Sequence, residues 1–189
     1  AEPDNAIFLS DVRGQTIEVL FTEPGIDAQW LDATRLLLTI GPRPYTQLDV
    51  YDVTSGERYT LGRWYRPRGF SIAPGGGRLM FYLPQQPNPA DTGLYWMEIA
   101  PSAQPQRLNW FGAYQWRDGN SVFYMPFDPN NNVHQLMSYN LATGMTQALT
   151  NPATQPFTVK DGRWSVNADG SQIVFRNALD RTLWQIVIE

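Results

Sequence analysis

The most unusual stretch of the sequence is GRWYRPRGF, at residues 62–70, where cationic and aromatic side chains alternate. Its candidate binding residues are Arg63, Trp64, Tyr65, Arg66 and Arg68. An arginine fork can hold a carboxylate or a phosphate through two hydrogen bonds, and arginine and aromatic residues are concentrated in binding hot spots. The stretch therefore predicts a binding surface in a link between two structural units. The alternative is a structural link with packed aromatics and solvated or paired arginines.

A second aromatic stretch, NWFGAYQW at residues 109–116, supplies two further candidate binding residues, Trp110 and Tyr114. It occupies the corresponding link one unit later in the sequence. If the two stretches lay on one face, they would form an aromatic patch suited to a peptide or a sugar. Packing of these aromatics in the core is the alternative interpretation.

No group of residues in the sequence predicts catalysis. There is a single histidine, His134, no cysteine and no G-x-S-x-G sequence, so the nucleophile and base of a hydrolase are not recognisable. Two carboxylates such as Asp27 and Asp118 could cleave a glycoside only if they converged. Asp118 precedes Gly119, which favours a turn residue. We therefore predict a non-enzymatic protein without a cofactor.

A metal site has one weak candidate, the loop DPNNN with Asp128, Asn130 and Asn132. The alternating oxygen ligands resemble the start of a calcium loop. Val133 stands where such a loop has glycine, and Tyr139 replaces the closing glutamate. An asparagine-rich turn is the favoured interpretation, and no metal is predicted.

The composition restricts the partners and the location. The formal net charge of −4 disfavours nucleic-acid binding, which needs a basic face. No apolar run approaches the roughly 18 residues of a membrane span. The absence of cysteine and the start AEPDNA, typical of a mature chain after signal cleavage and equally of an excised domain, predict an extracytoplasmic protein.

An internal repeat organises the chain. Its lead aromatics are Trp30, Phe70, Trp116 and Trp164, at steps of 40, 46 and 48 residues. A complete copy contains four short strands, and the second strand is a nearly continuous apolar run, typical of a strand buried on both faces. Four-stranded units of this period predict an all-β fold, a β-propeller of about four four-stranded blades.

We expect one propeller domain over residues 1–189. The predicted blades are 28–62, 69–110, 113–150 and 162–189, with 7–23 supplying one or more strands that close the last blade. The last copy lacks a fourth strand, whereas residues 7–21 contain two strands around Arg13-Gly14. Either the four blades close into a ring, or the chain is a segment of a larger propeller.

The repeat resembles the WD40-like PD40 repeats of TolB-type β-propellers. The residues that carry the resemblance are Asn167–Ser171, Leu94–Ile99 and Leu136–Gly144. The first copy has Asp32-Ala33-Thr34, and the second Pro74–Gly77, where Asp-Gly is usual.

Members of this family include periplasmic scaffolds, extracellular modules of receptor kinases and propeller domains attached to peptidases. The resemblance therefore implies a binding scaffold for protein or peptide partners. The alternatives are a carbohydrate-binding module that uses exposed aromatics, and an auxiliary propeller domain of a larger hydrolase or receptor-kinase chain.

Overall fold

The computed structural model describes residues 4–41, 43–127 and 135–188. The chain divides into two compact units, residues 1–108 and 109–189. In the described residues, regular structure consists of antiparallel strands and one short 3-10 turn, Pro89–Asp91. The all-β class predicted from the sequence is confirmed. Two predictions concern how the two units are related: the single domain, and the closure of the last blade by residues 7–23. Both stay predictions.

The first unit contains a hairpin and two four-stranded sheets. The hairpin consists of β1 (Asp4–Ser10) and β2 (Thr16–Pro24). The first sheet consists of β3 (Asp27–Trp30), β4 (Arg35–Ile40), β5 (Tyr45–Asp52) and β6 (Arg58–Tyr65). The second sheet consists of β7 (Arg68–Ile72), β8 (Arg78–Leu83), β9 (Gly93–Glu98) and β10 (Gln106–Arg107). In both sheets each strand pairs with the next strand in the sequence.

The second unit contains a four-stranded and a three-stranded sheet. The third sheet consists of β11 (Gly112–Trp116), β12 (Ser121–Pro126), β13 (Met137–Asn140) and β14 (Thr146–Ala148). The fourth sheet consists of β15 (Val159–Val166), β16 (Gln172–Asn177) and β17 (Leu183–Val187). Both sheets have the sequential antiparallel order of the first unit.

The second strand of each sheet carries the core. Leu38 of β4, Phe81 of β8 and Phe123 of β12 are fully buried, and each has at least one buried neighbour in its strand. The prediction of burial on both faces is wrong for β16, where Ile173 and Phe175 are buried but Val174 is 43 % exposed. One face of β16 thus meets solvent, and its apolar residues alternate in burial.

The two sheets of the first unit share one apolar core. Leu37 and Leu48 of the first sheet pack in a cluster with Leu79, Phe81 and Met97 of the second. Burying such side chains contributes about 1.5–3 kcal/mol each. Neither sheet could bury these faces by itself, so the packing fixes one sheet against the other.

The hairpin covers the other face of the first sheet. The ring of Phe21 in β2 meets that of Tyr51 edge-on at 4.8 Å. Arg58 in β6 pairs with the buried carboxylate of Asp49 at 2.7 Å and reaches Glu23 of the hairpin at 3.0 Å. The hairpin is therefore joined to the first sheet by apolar contacts and by an ionic contact.

The second unit has a core of its own. Phe123 of the third sheet and Leu136, just before β13, cluster with Phe157, Trp164 and Ile173. The ring of Phe157 meets that of Trp164 edge-on at 5.7 Å. Trp164, one of the four lead aromatics of the repeat, is buried in this core.

An aspartate organises the turn between the first two strands in three sheets. These residues are Asp32, Asp118 and Asp169. Asp32 Oδ1 accepts hydrogen bonds from the backbone N–H groups of Thr34 at 3.0 Å and Arg35 at 2.9 Å. The other two carboxylates accept from the N–H two residues on, at 2.7 and 2.9 Å. These Asx turns are local, which is why the motif is visible in the sequence.

Asp32 makes the stability of the first unit depend on pH. The Thr34 N–H and the Arg35 side chain lower the pKa of its carboxyl from 3.8 to about 2. Because the folded-state pKa lies below the unfolded one, the stabilisation is complete above about pH 4 and is lost as the pH falls towards 2.

We predict that urea unfolding, followed by tryptophan fluorescence, will show wild type to be more stable than Asp32→Asn at pH 6. This difference in the free energy of unfolding should shrink towards pH 2, where the Asp32 carboxyl becomes protonated. Asparagine is the matched substitution, because its side-chain oxygen can still accept the hydrogen bonds of the turn but carries no charge. An equal difference at the two pH values would show that ionisation of Asp32 does not stabilise the fold.

Candidate binding surface

The predicted binding stretch spans the end of the first sheet and the start of the second. Arg63, Trp64 and Tyr65 belong to β6, and Arg68 begins β7, so the link between the sheets is only Arg66-Pro67. The predicted link was too long because β6 continues its pairing with β5 as far as Tyr65, which lies opposite Tyr45.

Three arginines of this stretch each lie over a tyrosine ring. The guanidinium carbon of Arg63 is 5.2 Å from the ring centre of Tyr45, that of Arg66 is 5.4 Å from Tyr65, and that of Arg68 is 5.5 Å from Tyr82. We call these six residues the arginine–tyrosine surface. Stacking uses the flat faces of the guanidinium groups, so their N–H edges stay available for hydrogen bonds.

A cleft adjoins this surface within the first unit. It has a volume of about 460 Å³. We call it the arginine cleft and define it by its lining residues: Arg43, Pro44, Thr46, Arg66, Pro67, Arg68, Pro84 and Gln85. The three arginines are exposed, and the lining residues that the structure describes include no carboxylate. The cleft is therefore a local positive site on a chain whose net charge is negative.

The arginines of the cleft differ from the paired arginines of the same unit. Arg58 pairs with Asp49 at 2.7 Å, and Arg35 pairs with Asp32 at the same distance. Among the residues that the structure describes, no ion pair involves Arg43, Arg66 or Arg68. Their donors are thus not engaged by the carboxylates that the structure describes in this unit.

The backbone around the cleft is held by specific hydrogen bonds. The N–H of Arg66 donates to the carbonyl of Pro44 at 2.6 Å. The side-chain amide of Gln86 donates to the carbonyls of Tyr65 at 2.8 Å and Pro84 at 3.0 Å. These bonds tie the end of the first sheet to the loop after β8, so the two walls of the cleft keep a fixed spacing.

Trp64, predicted as a binding residue, packs inwards. Its ring lies 5.0 Å from that of Phe81, and it borders the shared core of the two sheets. Gly62 faces the same ring, because a Cβ atom at that position would lie 2.5 Å from Trp64 Cη2. Trp64 therefore supports the strand that carries Arg63 and Tyr65.

In the second unit, Trp110 and Tyr114 belong to a separate aromatic cluster. The ring of Trp110 stacks on that of Tyr124 at 4.0 Å and meets Tyr114 and Tyr139 edge-on at 6.3 and 5.9 Å. Trp110 is half-buried, and its buried Nε1 has no hydrogen-bond partner within the described part of the chain. One face of its indole is thus covered by another ring.

The residues considered for catalysis and metal binding have structural roles or lie outside the described residues. Asp118 holds its turn through the N–H groups of Asn120 and Ser121, and Asp27 accepts from Ala28. In residues 4–41, 43–127 and 135–188, no three His, Asp or Glu side chains are grouped to hold a metal ion. The loop with Asp128, Asn130 and Asn132, and His134, fall in the undescribed residues 128–134.

Sequence reasoning missed two of the six residues of this surface and part of the cleft. Tyr45 and Tyr82 reach the arginines because β5 pairs with β6 and β7 with β8, with Tyr82 directly opposite Arg68. The register of these hairpins was a usable signal for both tyrosines. Arg43 enters the cleft from the β4–β5 loop, and nothing in its local sequence indicates this.

Comparison with known proteins gives the fold. No protein-family model matches the chain, and no curated protein matches it in sequence. TolB from Acinetobacter baumannii is 17 % identical, with a TM-score of 0.53 over 96 % of this chain and 46 % of its own. An oligogalacturonate lyase solved with manganese is 15 % identical, with a TM-score of 0.57 over 93 % of this chain and 52 % of its own. The fold is a TolB-type β-propeller.

The predicted propeller class is thereby confirmed. A protein from Listeria monocytogenes extends the likeness, at 11 % identity and a TM-score of 0.55 over 86 % of this chain and 50 % of its own. The chain spans about half the length of these three proteins. At such identities the likeness concerns the fold alone, because one fold carries many functions. None of the described residues forms a helix with the length and apolarity to cross a membrane.

We predict that Gly62→Ala will destabilise the first unit by about 1–3 kcal/mol, because the new methyl group would push Trp64 away from Phe81. Urea unfolding measures the change. Gly77→Ala is the matched control, since a Cβ there would have no neighbour within 4 Å. Equal stability of the two variants would show that Trp64 is not held against the core.

Arg66 allows a second test, because its φ of 48° lies in the left-handed region. Glycine adopts this conformation without the steric cost that a side chain adds. We expect Arg66→Gly to be about 1 kcal/mol more stable than Arg66→Ala in thermal unfolding. If Arg66→Ala were the more stable variant, the backbone at the cleft would not be strained.

Proposed function

We propose that this chain is a non-enzymatic propeller module that binds a protein or peptide partner through the arginine–tyrosine surface. The observation that carries the proposal is the set of three exposed arginines, each stacked on a tyrosine ring, with none in an ion pair of the described residues. Arginine and tyrosine are, with tryptophan, the residues enriched in binding hot spots. A stacked arginine also loses less side-chain entropy on binding than a free one.

The packing of the two tryptophans in the predicted binding stretches favours a protein partner over a neutral sugar. A carbohydrate-binding module needs open aromatic faces. Trp64 lies against Phe81, and Trp110 stacks on Tyr124, so each indole presents less free surface than the sequence predicted. Tyr45 is 44 % exposed, but the guanidinium of Arg63 lies over its ring, so this aromatic face is also partly covered.

The module is also proposed to work outside the cytoplasm. The support is the complete absence of cysteine from the sequence, which suits an oxidising compartment. Because the chain spans about half the length of the propellers it resembles, a role as one part of a larger protein agrees with the same proposal.

A peptide-display experiment tests the function. Random peptides on phage are selected against the wild-type protein, and the enriched peptides are synthesised and their affinities measured. We expect the double variant Arg63→Ala, Arg66→Ala to weaken binding at least about tenfold, because each arginine supplies charge-assisted hydrogen bonds. Arg13→Ala, which removes an exposed arginine at the hairpin turn, should bind like wild type.

Thermal unfolding of the same variants separates binding from folding. The double variant should melt within a few degrees of wild type, because both side chains are exposed. Peptides that bind wild type and the double variant equally would contradict the proposal. A large loss of stability in the double variant would show that these arginines are structural.

A further inference from the structure

We infer that the arginine cleft is a receptor for carboxylates, and that it takes aspartate or glutamate side chains from an acidic segment of the partner. The inference rests on the proposed function and adds the chemistry of the ligand. It also adds Arg43, which lines the cleft but does not belong to the arginine–tyrosine surface.

The charge around the cleft selects an anion. Arg43, Arg66 and Arg68 all line one cavity, and the described lining residues include no acid that would neutralise them. An arginine stays charged at any physiological pH. A partner carboxylate would therefore supply the negative charge that the lining residues lack, and an acidic segment could supply several.

The proline rim favours carboxylate over phosphate. Phosphate sites commonly use several backbone N–H groups, as in nests and at helix N-termini. Here Pro44, Pro67 and Pro84 have no N–H, and the N–H of Arg66 already donates to the carbonyl of Pro44. The donors left for an anion belong mainly to side chains. The planar arginine fork can hold two oxygens of a carboxylate or of a phosphate, so the scarcity of backbone N–H donors is what favours carboxylate.

Two of the three arginines and both walls are held in place before a ligand arrives. Arg66 and Arg68 rest on Tyr65 and Tyr82, and Gln86 ties the two walls of the cleft. Binding then costs little further ordering of side chains, which raises affinity for a given set of contacts. The volume of about 460 Å³ accommodates a glutamate side chain with part of its backbone.

The test uses fluorescently labelled, capped hexaglutamate and hexaglutamine peptides. Fluorescence anisotropy at about 0.15 M salt keeps long-range electrostatics screened. We expect wild type and Arg13→Ala to bind hexaglutamate with the same affinity. Both proteins should bind hexaglutamine at least about tenfold more weakly than hexaglutamate. Arg43→Ala and, independently, Arg68→Ala should each weaken hexaglutamate about tenfold. Arg43→Lys should bind better than Arg43→Ala and worse than wild type, because lysine keeps the charge and loses the fork.

Four results would overturn the inference. Equal weakening by Arg13→Ala and Arg43→Ala would show diffuse electrostatics without a site. Displacement of hexaglutamate by inorganic phosphate at lower concentration than by glutarate would show a phosphate site. Tighter binding of trigalacturonate than of hexaglutamate would make the ligand an acidic sugar. Absence of hexaglutamate binding to a correctly folded wild type would show that the cleft does not receive carboxylates.

The two proposals can fail separately. The selected peptides could depend on Arg63 and be insensitive to Arg43→Ala, while the protein does not bind hexaglutamate. This result would support the proposed binding function and reject the carboxylate cleft. Failure of both the selected peptides and hexaglutamate to bind would reject the proposed function together with the inference.

Discussion

The packing of one thin sheet against the next is the constraint on which the first unit depends. A four-stranded antiparallel sheet has two faces and cannot bury either by itself. In the first unit, Leu37 and Leu48 meet Leu79 and Phe81 across the interface between the sheets. This contact fixes the spacing of the sheets. It therefore also fixes the spacing of the loops at their ends, which carry the arginines.

The arginine cleft is a consequence of that spacing. One wall comes from the β4–β5 loop and the link after β6, and the other from the start of β7 and the loop after β8. Hydrogen bonds from Gln86 and from the N–H of Arg66 lock these segments together. A rigid apolar interior thus supports a polar surface, which is the usual way in which a fold supplies a binding site.

The fold by itself does not choose between binding and catalysis. Propellers of this type include TolB and an oligogalacturonate lyase, and the chain resembles both about equally. The proposals therefore depend on the residues of the surface. Exposed arginines stacked on tyrosines are suited to holding a partner by charge and hydrogen bonds.

Local features of this protein could be predicted from the sequence. The apolar second strands and the Asx turns at Asp118 and Asp169 depend on residues within a few positions of one another. Such local features predicted the all-β class, the repeat and the propeller. Val174 was predicted wrongly, because its burial depends on what covers β16 and not on its own strand.

The sequence by itself determined the strands, the turns and the arginine-rich stretch as a candidate binding surface. Only the tertiary structure decided that Trp64 faces the core, that Tyr45 and Tyr82 support the arginines, and that Arg43 joins the cleft. The physical reason is distance along the chain. Strand periodicity and turn chemistry act between near neighbours, whereas a cleft is made by segments that meet only when separate sheets pack.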